Sequence, residues 1–144
     1  MTSPQLKDTL HATCVAFEGQ AVLLIGSSGS GKSAIALDLI SRGAELVSDD
    51  QVILEERDGV LVAKPVEQLE GMIEARGIGI LSTEAVSSAS VSLVVDLDQT
   101  ELKRLPEKRT KELLGISVDL IYGRDNWLLT AGVMALLKGA QRVK

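Results

Sequence analysis

The stretch Gly26-Ser27-Ser28-Gly29-Ser30-Gly31-Lys32-Ser33 fits the pattern G-x-x-x-x-G-K-[ST], in which glycines let successive backbone N–H groups turn toward one anion. In such a loop Gly26 to Gly31 cradle phosphates, Lys32 neutralises terminal phosphate oxygens and Ser33 can ligate Mg²⁺. Phosphate chemistry also needs carboxylates, and Asp49-Asp50 are the first candidates. Adjacent residues at a strand end point to opposite sides, so one can face the metal while the other faces a nucleophile. A carboxylate that accepts a hydroxyl proton suits phosphoryl transfer, and it returns that proton if the reaction reverses. His11 is the one histidine, so proton transfer near neutral pH by an unperturbed side chain falls to it; taken alone, it reads as structural. Glu74 and Arg76 stand just before Gly77 and Gly79, where backbone can approach a ligand. Glu is a hard oxygen donor for Mg²⁺ and Arg a phosphate clamp, although charges beside glycine also describe a solvated turn. In isolation, Arg104 and Arg124 read as surface salt-bridge partners.

These residues need a scaffold. HATCVAF, Glu18-Gly19 and the apolar run Gln20 to Ile25 predict strand, tight turn and strand. After the glycine-rich loop, AIALDLISRG places Ile35, Leu39 and Ile40 on one face and Gly43 at a C-cap, so the loop opens a helix. Glu45 to Ser48 makes an apolar step into the two aspartates, and Asp58-Gly59 between Val52–Glu55 and Val60–Ala63 predicts a hairpin. The spacing of Val66, Leu69, Met72 and Ile73 predicts a helix between Pro65 and Gly77, with ARGIGIL leading into a strand. Ser82 to Ser90 reads as a surface connection and Val91 to Leu97 as a buried strand. Charge-dense Glu101 to Glu112, with Pro106, predicts an exposed, mobile segment. A strand from Val118 to Tyr122, a turn at Gly123–Asn126 that supplies an N-cap, and a helix to about Lys138 close the chain.

The 144 residues carry 15 basic against 20 acidic side chains, a formal charge of −5, with 45% hydrophobic and 24% charged residues. That composition predicts one globular domain, 1–144, with its own core. Cys14, the single cysteine, cannot form an internal disulfide and reads as a small buried hydrophobe in a reducing compartment, so cytoplasm is the expected address. Met1 to Leu10 carries no apolar leader, and no apolar run approaches the roughly 18 residues of a membrane span. Acidic charge argues against a nucleic-acid partner. One Phe, one Tyr and one Trp argue against base-stacking platforms and offer no evident adenine clamp.

His11, GSSGSGKS, LVSDD and IEARGIGIL occur in this order, and together they resemble the catalytic domain of HPr kinase/phosphorylase over about Leu10 to Lys138. The resemblance implies an α/β fold, a P-loop-containing mixed sheet with flanking helices like that of phosphoenolpyruvate carboxykinase. It implies Mg²⁺-dependent phosphorylation of a serine of the phosphocarrier protein HPr, with ATP or pyrophosphate as donor. It also implies the reverse phosphorolysis, in which inorganic phosphate attacks phosphoserine-HPr. Carried over, His11 matches the catalytic histidine, Lys32 the loop lysine, and Ser33 and Glu74 the magnesium ligands. Asp50 matches the base for phosphorylation and acid for dephosphorylation, and Asp49 assists at the metal. Ile73 to Ser82 matches the family signature, Arg104 in KRLPE the arginine of a mobile loop, and Arg124 in YGRDN the Gly-Arg-Asn region linked to dephosphorylation. Tyr122 stands where the family has proline, and Asp125 intervenes before Asn126. The resemblance is to the short, proteobacterial-type form, and it implies a hexamer.

Two alternatives stay open. One is a small-molecule kinase with its own acceptor pocket, for which so short a chain leaves little room. The other is a nucleotide-sensing module that transfers nothing; it would keep binding its nucleotide after Asp50→Asn.

Overall fold

The computed structural model describes residues 6–144; of the segment expected to lack an apolar leader, residues 1–5 lie outside it. The strands are β1 (Lys7–Leu10), β2 (Thr13–Phe17), β3 (Gln20–Ile25), β4 (Glu45–Ser48), β5 (Val52–Arg57), β6 (Val60–Pro65), β7 (Met72–Ala75), β8 (Gly79–Ser82), β9 (Ala89–Asp96), β10 (Arg109–Leu113) and β11 (Ile116–Tyr122). Two α-helices, α1 (Lys32–Ser41) and α2 (Leu129–Leu137), and a short 3₁₀ turn complete the described elements. Nine strands form one mixed sheet in which β9 is the branch point. It pairs parallel with β3 along one edge, while its other edge meets β6 antiparallel at Ala89–Ser90 and β11 parallel over Leu93–Asp96. β7 and β8 form a separate hairpin. Among the described residues no helix is long and apolar enough to cross a membrane.

The period-two geometry of β3 divides the interior into two clusters. Val22 and Leu24 pack with Ala36 and Leu39 of α1 and with Leu129, Val133, Met134 and Leu137 of α2. Ala21 and Leu23 face the other way, toward Cys14, Ala16, Val47, Leu54, Leu61 and Val94, a cluster without helix residues. The flanking helices of the expected α/β fold thus share one face of the mixed sheet. Cys14 is fully buried, and that burial pushes its thiol pKa up.

The Glu18-Gly19 and Asp58-Gly59 turns form as predicted. Both residues of each have positive φ, at 48° and 83° and at 52° and 80°, the conformation that twists a two-residue hairpin correctly. Two sequence expectations are corrected. Pro65–Gly77 is not a helix: Val66 leads into a short 3₁₀ turn, Glu67–Leu69, and Met72 starts β7. The apparent helical spacing joined two elements, whereas Ile73 and Ala75 are buried and Met72 and Glu74 exposed, the alternation of a strand. Glu101–Glu112 is not wholly an exposed loop, because its end enters β10, paired with β11 from Arg109↔Leu120 to Leu113↔Ile116. Arg109 anchors that entry, 3.2 Å from Glu101 and 4.2 Å from the Tyr122 ring centroid.

The turn before α2 is held by close backbone approach. A Cβ on Gly123 would lie 2.6 Å from Val95 Cγ1 and 2.9 Å from Leu129 Cδ2, so only glycine fits. The Asn126 side chain accepts from Leu128 N–H at 3.0 Å. That contact closes the turn but does not cap the helix as the sequence suggested: the N-cap position is Leu128, two residues on, and no side chain caps it.

Candidate active site

The loop from Gly26 to Gly31 joins the end of β3 to the start of α1. Gly26, Gly29 and Gly31 all have positive φ; a Cβ on Gly26 would stand 2.6 Å from Ser30 Oγ, so glycine leaves the space a tight cradle requires. Ser30 Oγ is buried without a hydrogen-bond partner. Lys32 Nζ donates to the carbonyls of Gly26 at 2.9 Å and Ser27 at 3.1 Å, which holds its ammonium across the loop. An unpartnered hydroxyl and a lysine beside glycines of positive φ fit a bound phosphate chain.

The two aspartates diverge, but not by strand alternation: both lie past the end of β4, and a left-handed turn at Asp50 separates them. Asp49 is buried at 8% exposure, and its Oδ1 accepts from Ser33 Oγ at 2.8 Å and Thr13 Oγ1 at 2.9 Å. Its Oδ2 accepts from Glu74 N–H at 3.1 Å. One carboxylate thus ties the start of α1 to β2 and β7. Asp50 adopts φ = 68°, a left-handed conformation that Asp tolerates better than most residues. Its carbonyl accepts from Ala12 N–H at 3.1 Å, and the reversal swings its side chain outward. There Oδ1 meets His11 Nε2 at 3.0 Å, with the imidazole and carboxylate side chains 51% and 67% exposed. Both can therefore meet an incoming molecule.

A cleft of about 540 Å³ collects His11, Asp50, Lys32, Ser33, Glu74 and Arg76. Arg76 and Ile78 come from the β7–β8 turn, where Ile78 is 79% exposed. Among the described residues no group of three or more His, Cys, Asp or Glu is arranged to hold a metal ion. The donor set is hydroxyl and scattered carboxylate oxygen, which suits Mg²⁺, an ion that keeps waters and completes its shell with substrate phosphate oxygens.

Arg104 and Arg124 stand elsewhere. Both line a groove with Glu101, Pro106, Tyr122 and Trp127, outside the His11–Asp50 cleft. Arg124 also borders a third opening, of about 680 Å³, on the other flank of the glycine-rich loop. Two residues that sequence reasoning missed are Thr13 and Asp98. Asp98 accepts from Ser27 N–H at 2.8 Å and Ser27 Oγ at 2.9 Å, pinning the loop to the end of β9. A carboxylate just after a buried strand was the available signal for Asp98. Thr13, inside an apolar strand, gave none.

A family model described as the HPr serine kinase C-terminal domain matches residues 5–122. The chain is 35% identical over 124 residues to the HPr kinase/phosphorylase of Prosthecochloris aestuarii, covering 77% of this chain and 36% of that protein. It is 36% identical over 134 residues to the HPr kinase/phosphorylase of a Geobacillus species, covering 81% and 43%. It thus spans well under half the length of these relatives. The structure of the Hpr(Ser) kinase/phosphatase from Coxiella burnetii matches with a TM-score of 0.79 at 29% identity, covering 91% of this chain and 94% of that one.

Proposed function

This chain belongs to the HPr serine kinase C-terminal domain family, and from that premise we propose that it is a single catalytic domain, 1–144, that phosphorylates HPr on a serine. The observation that carries the reading is the shared cleft. The His11–Asp50 pair, Lys32 and Ser33 line one cleft, with Asp49 hydrogen-bonded behind Ser33, so a proton acceptor and a phosphate holder face one space. The amides of Gly26 to Gly31 and the ammonium of Lys32 hold the donor, ATP or pyrophosphate. Ser33 and Glu74, with Asp49 behind Ser33, hold Mg²⁺, which neutralises charge on the phosphate oxygens.

In the forward reaction the acceptor serine oxygen attacks the terminal phosphorus of the donor. Asp50 takes the hydroxyl proton, and the bond to the leaving nucleoside diphosphate or phosphate breaks. His11 orients Asp50 and shares that proton. In reverse, inorganic phosphate attacks phosphoserine, pyrophosphate forms, and Asp50 returns a proton to the serine oxygen. Ile78, exposed at the lip of the cleft, offers apolar surface to a protein acceptor. Arg104 lies in the stretch 99–108, which has no helix or strand; its part in neutralising the transferring phosphoryl group requires that stretch to swing toward the loop. Arg124 acts from the loop's other flank. A cytoplasmic address and a hexamer complete the reading, and sedimentation tests the latter.

The test is to mix the purified protein with Mg²⁺, HPr and either ATP or pyrophosphate, and to measure the intact mass of HPr. One phosphate gained on serine, and lost with Asp50→Asn, is the expected result. Nucleotide binding without transfer from either donor overturns it and favours a sensor or a different acceptor.

A further inference from the structure

The glycine-rich loop separates two openings that share Ser28, Gly29, Gly31 and Ala34 as lining. On one flank stand His11, Asp50 and Glu74. The other flank is walled by Ser27, Leu97, Asp98, Arg124 and Trp127 and carries none of the groups assigned to proton transfer. A donor whose terminal phosphate lies at Lys32 and Ser33 therefore has a second space, about 680 Å³, into which the rest of the molecule can extend. Pyrophosphate has nothing to place there.

Trp127 is the sole tryptophan, and it is 89% exposed. Nothing in the core uses that indole. The turn that carries it is nevertheless firmly placed: Gly123 N–H donates to Asp96 O and Arg124 N–H to Gln99 O, each at 2.9 Å, and Asn126 Oδ1 accepts from Leu128 N–H. The same stretch, 96–99, holds the opposite wall through Asp98 and Ser27. Both walls of the opening are thus tied to the end of β9. A π face on a fixed turn, across from a phosphate loop, is what an aromatic base can stack upon.

We propose that Trp127 and the outer flank of the glycine-rich loop form a nucleobase subsite, which makes a nucleoside triphosphate the preferred donor over pyrophosphate. This inference rests on the loop holding the donor's phosphates, as in the proposed function. It modifies the expectation, drawn from scarce aromatics, that the chain offers no evident adenine clamp. One aromatic residue suffices when the fold sets it beside the loop.

Because Trp127 is the only indole, its emission reports the subsite directly. With Mg²⁺ present and no acceptor, ATP is expected to change Trp127 fluorescence saturably and pyrophosphate to leave it nearly unchanged. By calorimetry, Trp127→Ala is expected to weaken ATP binding about tenfold, the scale of one base–aromatic stack, and to leave pyrophosphate binding within about twofold. Trp127→Phe should restore most of the loss. Equal weakening of both ligands, or ATP binding unaffected by Trp127→Ala, overturns the subsite. Failure of the wild-type protein to bind either ligand removes the phosphate-loop reading and the subsite with it. An ATP-specific response in a protein that does not phosphorylate HPr keeps the subsite and sinks only the kinase.

Discussion

Nε2 of His11 lies 3.0 Å from Oδ1 of Asp50, although 39 positions separate the two in the chain. The contact exists because β2 pairs with β4, Cys14 opposite Ser48, which brings the residues flanking those strands together. With a proton on Nε2 the imidazole donates to the carboxylate and aims it into the cleft. His11→Ala is expected to lower kcat about 100-fold, within the range of acid–base groups, with little change in donor affinity. Single-turnover phosphorylation alongside donor titration checks this. A wild-type kcat removes His11 from the chemistry.

Asp49 accepts from Thr13, Ser33 and the Glu74 amide. Asp49→Ala leaves these buried or half-buried donors without an acceptor, at an expected cost of about 2 kcal/mol in stability. It should also weaken Mg²⁺-dependent donor binding, since Ser33 loses its fixed orientation. Urea unfolding and calorimetry at varied Mg²⁺ separate the two effects; a variant as stable as the parent, with unchanged Mg²⁺ dependence, contradicts both.

Far from the cleft, Glu55 on β5 is buried and meets Arg57 at 2.6 Å, Lys64 at 3.1 Å and Lys7 at 3.4 Å. Hydrogen bonds from Arg57 and then Lys64 outweigh desolvation and hold its carboxyl at about 2, below the ordinary 4.5. A carboxyl lowered on folding stabilises the native state above its unfolded value, and that contribution is lost as pH falls from about 4.5 through about 2. Glu55→Gln is expected to cost about 1 kcal/mol at pH 7, with the gap from wild type closing toward pH 2. Urea midpoints across this range provide the check, and a gap that widens on acidification rejects the assignment.

Cys14 sits fully buried between β3 and β4, its thiol pushed up by desolvation. Reaction requires thiolate and access. A thiol reagent is expected to label the native protein only through unfolding, at a rate that rises with urea in step with the loss of structure. Rapid stoichiometric labelling in native buffer contradicts this placement.

Much of the site was legible because its chemistry is local. The glycine-rich loop has glycines, lysine and serine at fixed offsets between an apolar strand and an amphipathic stretch, and backbone geometry alone makes that an anion cradle. Hairpins closed by Glu18-Gly19 and Asp58-Gly59 were equally local. The Pro65–Gly77 segment misled because apolar spacing cannot show where one short element ends and another begins. Only burial of Ile73 and Ala75, with Glu74 between them turned outward, reveals a strand.

By itself, then, the sequence determined the glycine-rich loop, the helix it opens and the pair of adjacent aspartates, and with them the phosphate chemistry proposed for the cleft. Tertiary structure decided which aspartate turns inward to Ser33 and which outward to His11. It also decided that Asp98 steadies the loop, that Arg104 stands outside the His11–Asp50 cleft, and that a lone tryptophan borders the loop's far flank. The division has one physical cause. Loop and turn conformation follow from neighbouring residues, whereas side chains from β2, β4, β7 and the turn before α2 meet only after strand register has been set across long stretches of chain.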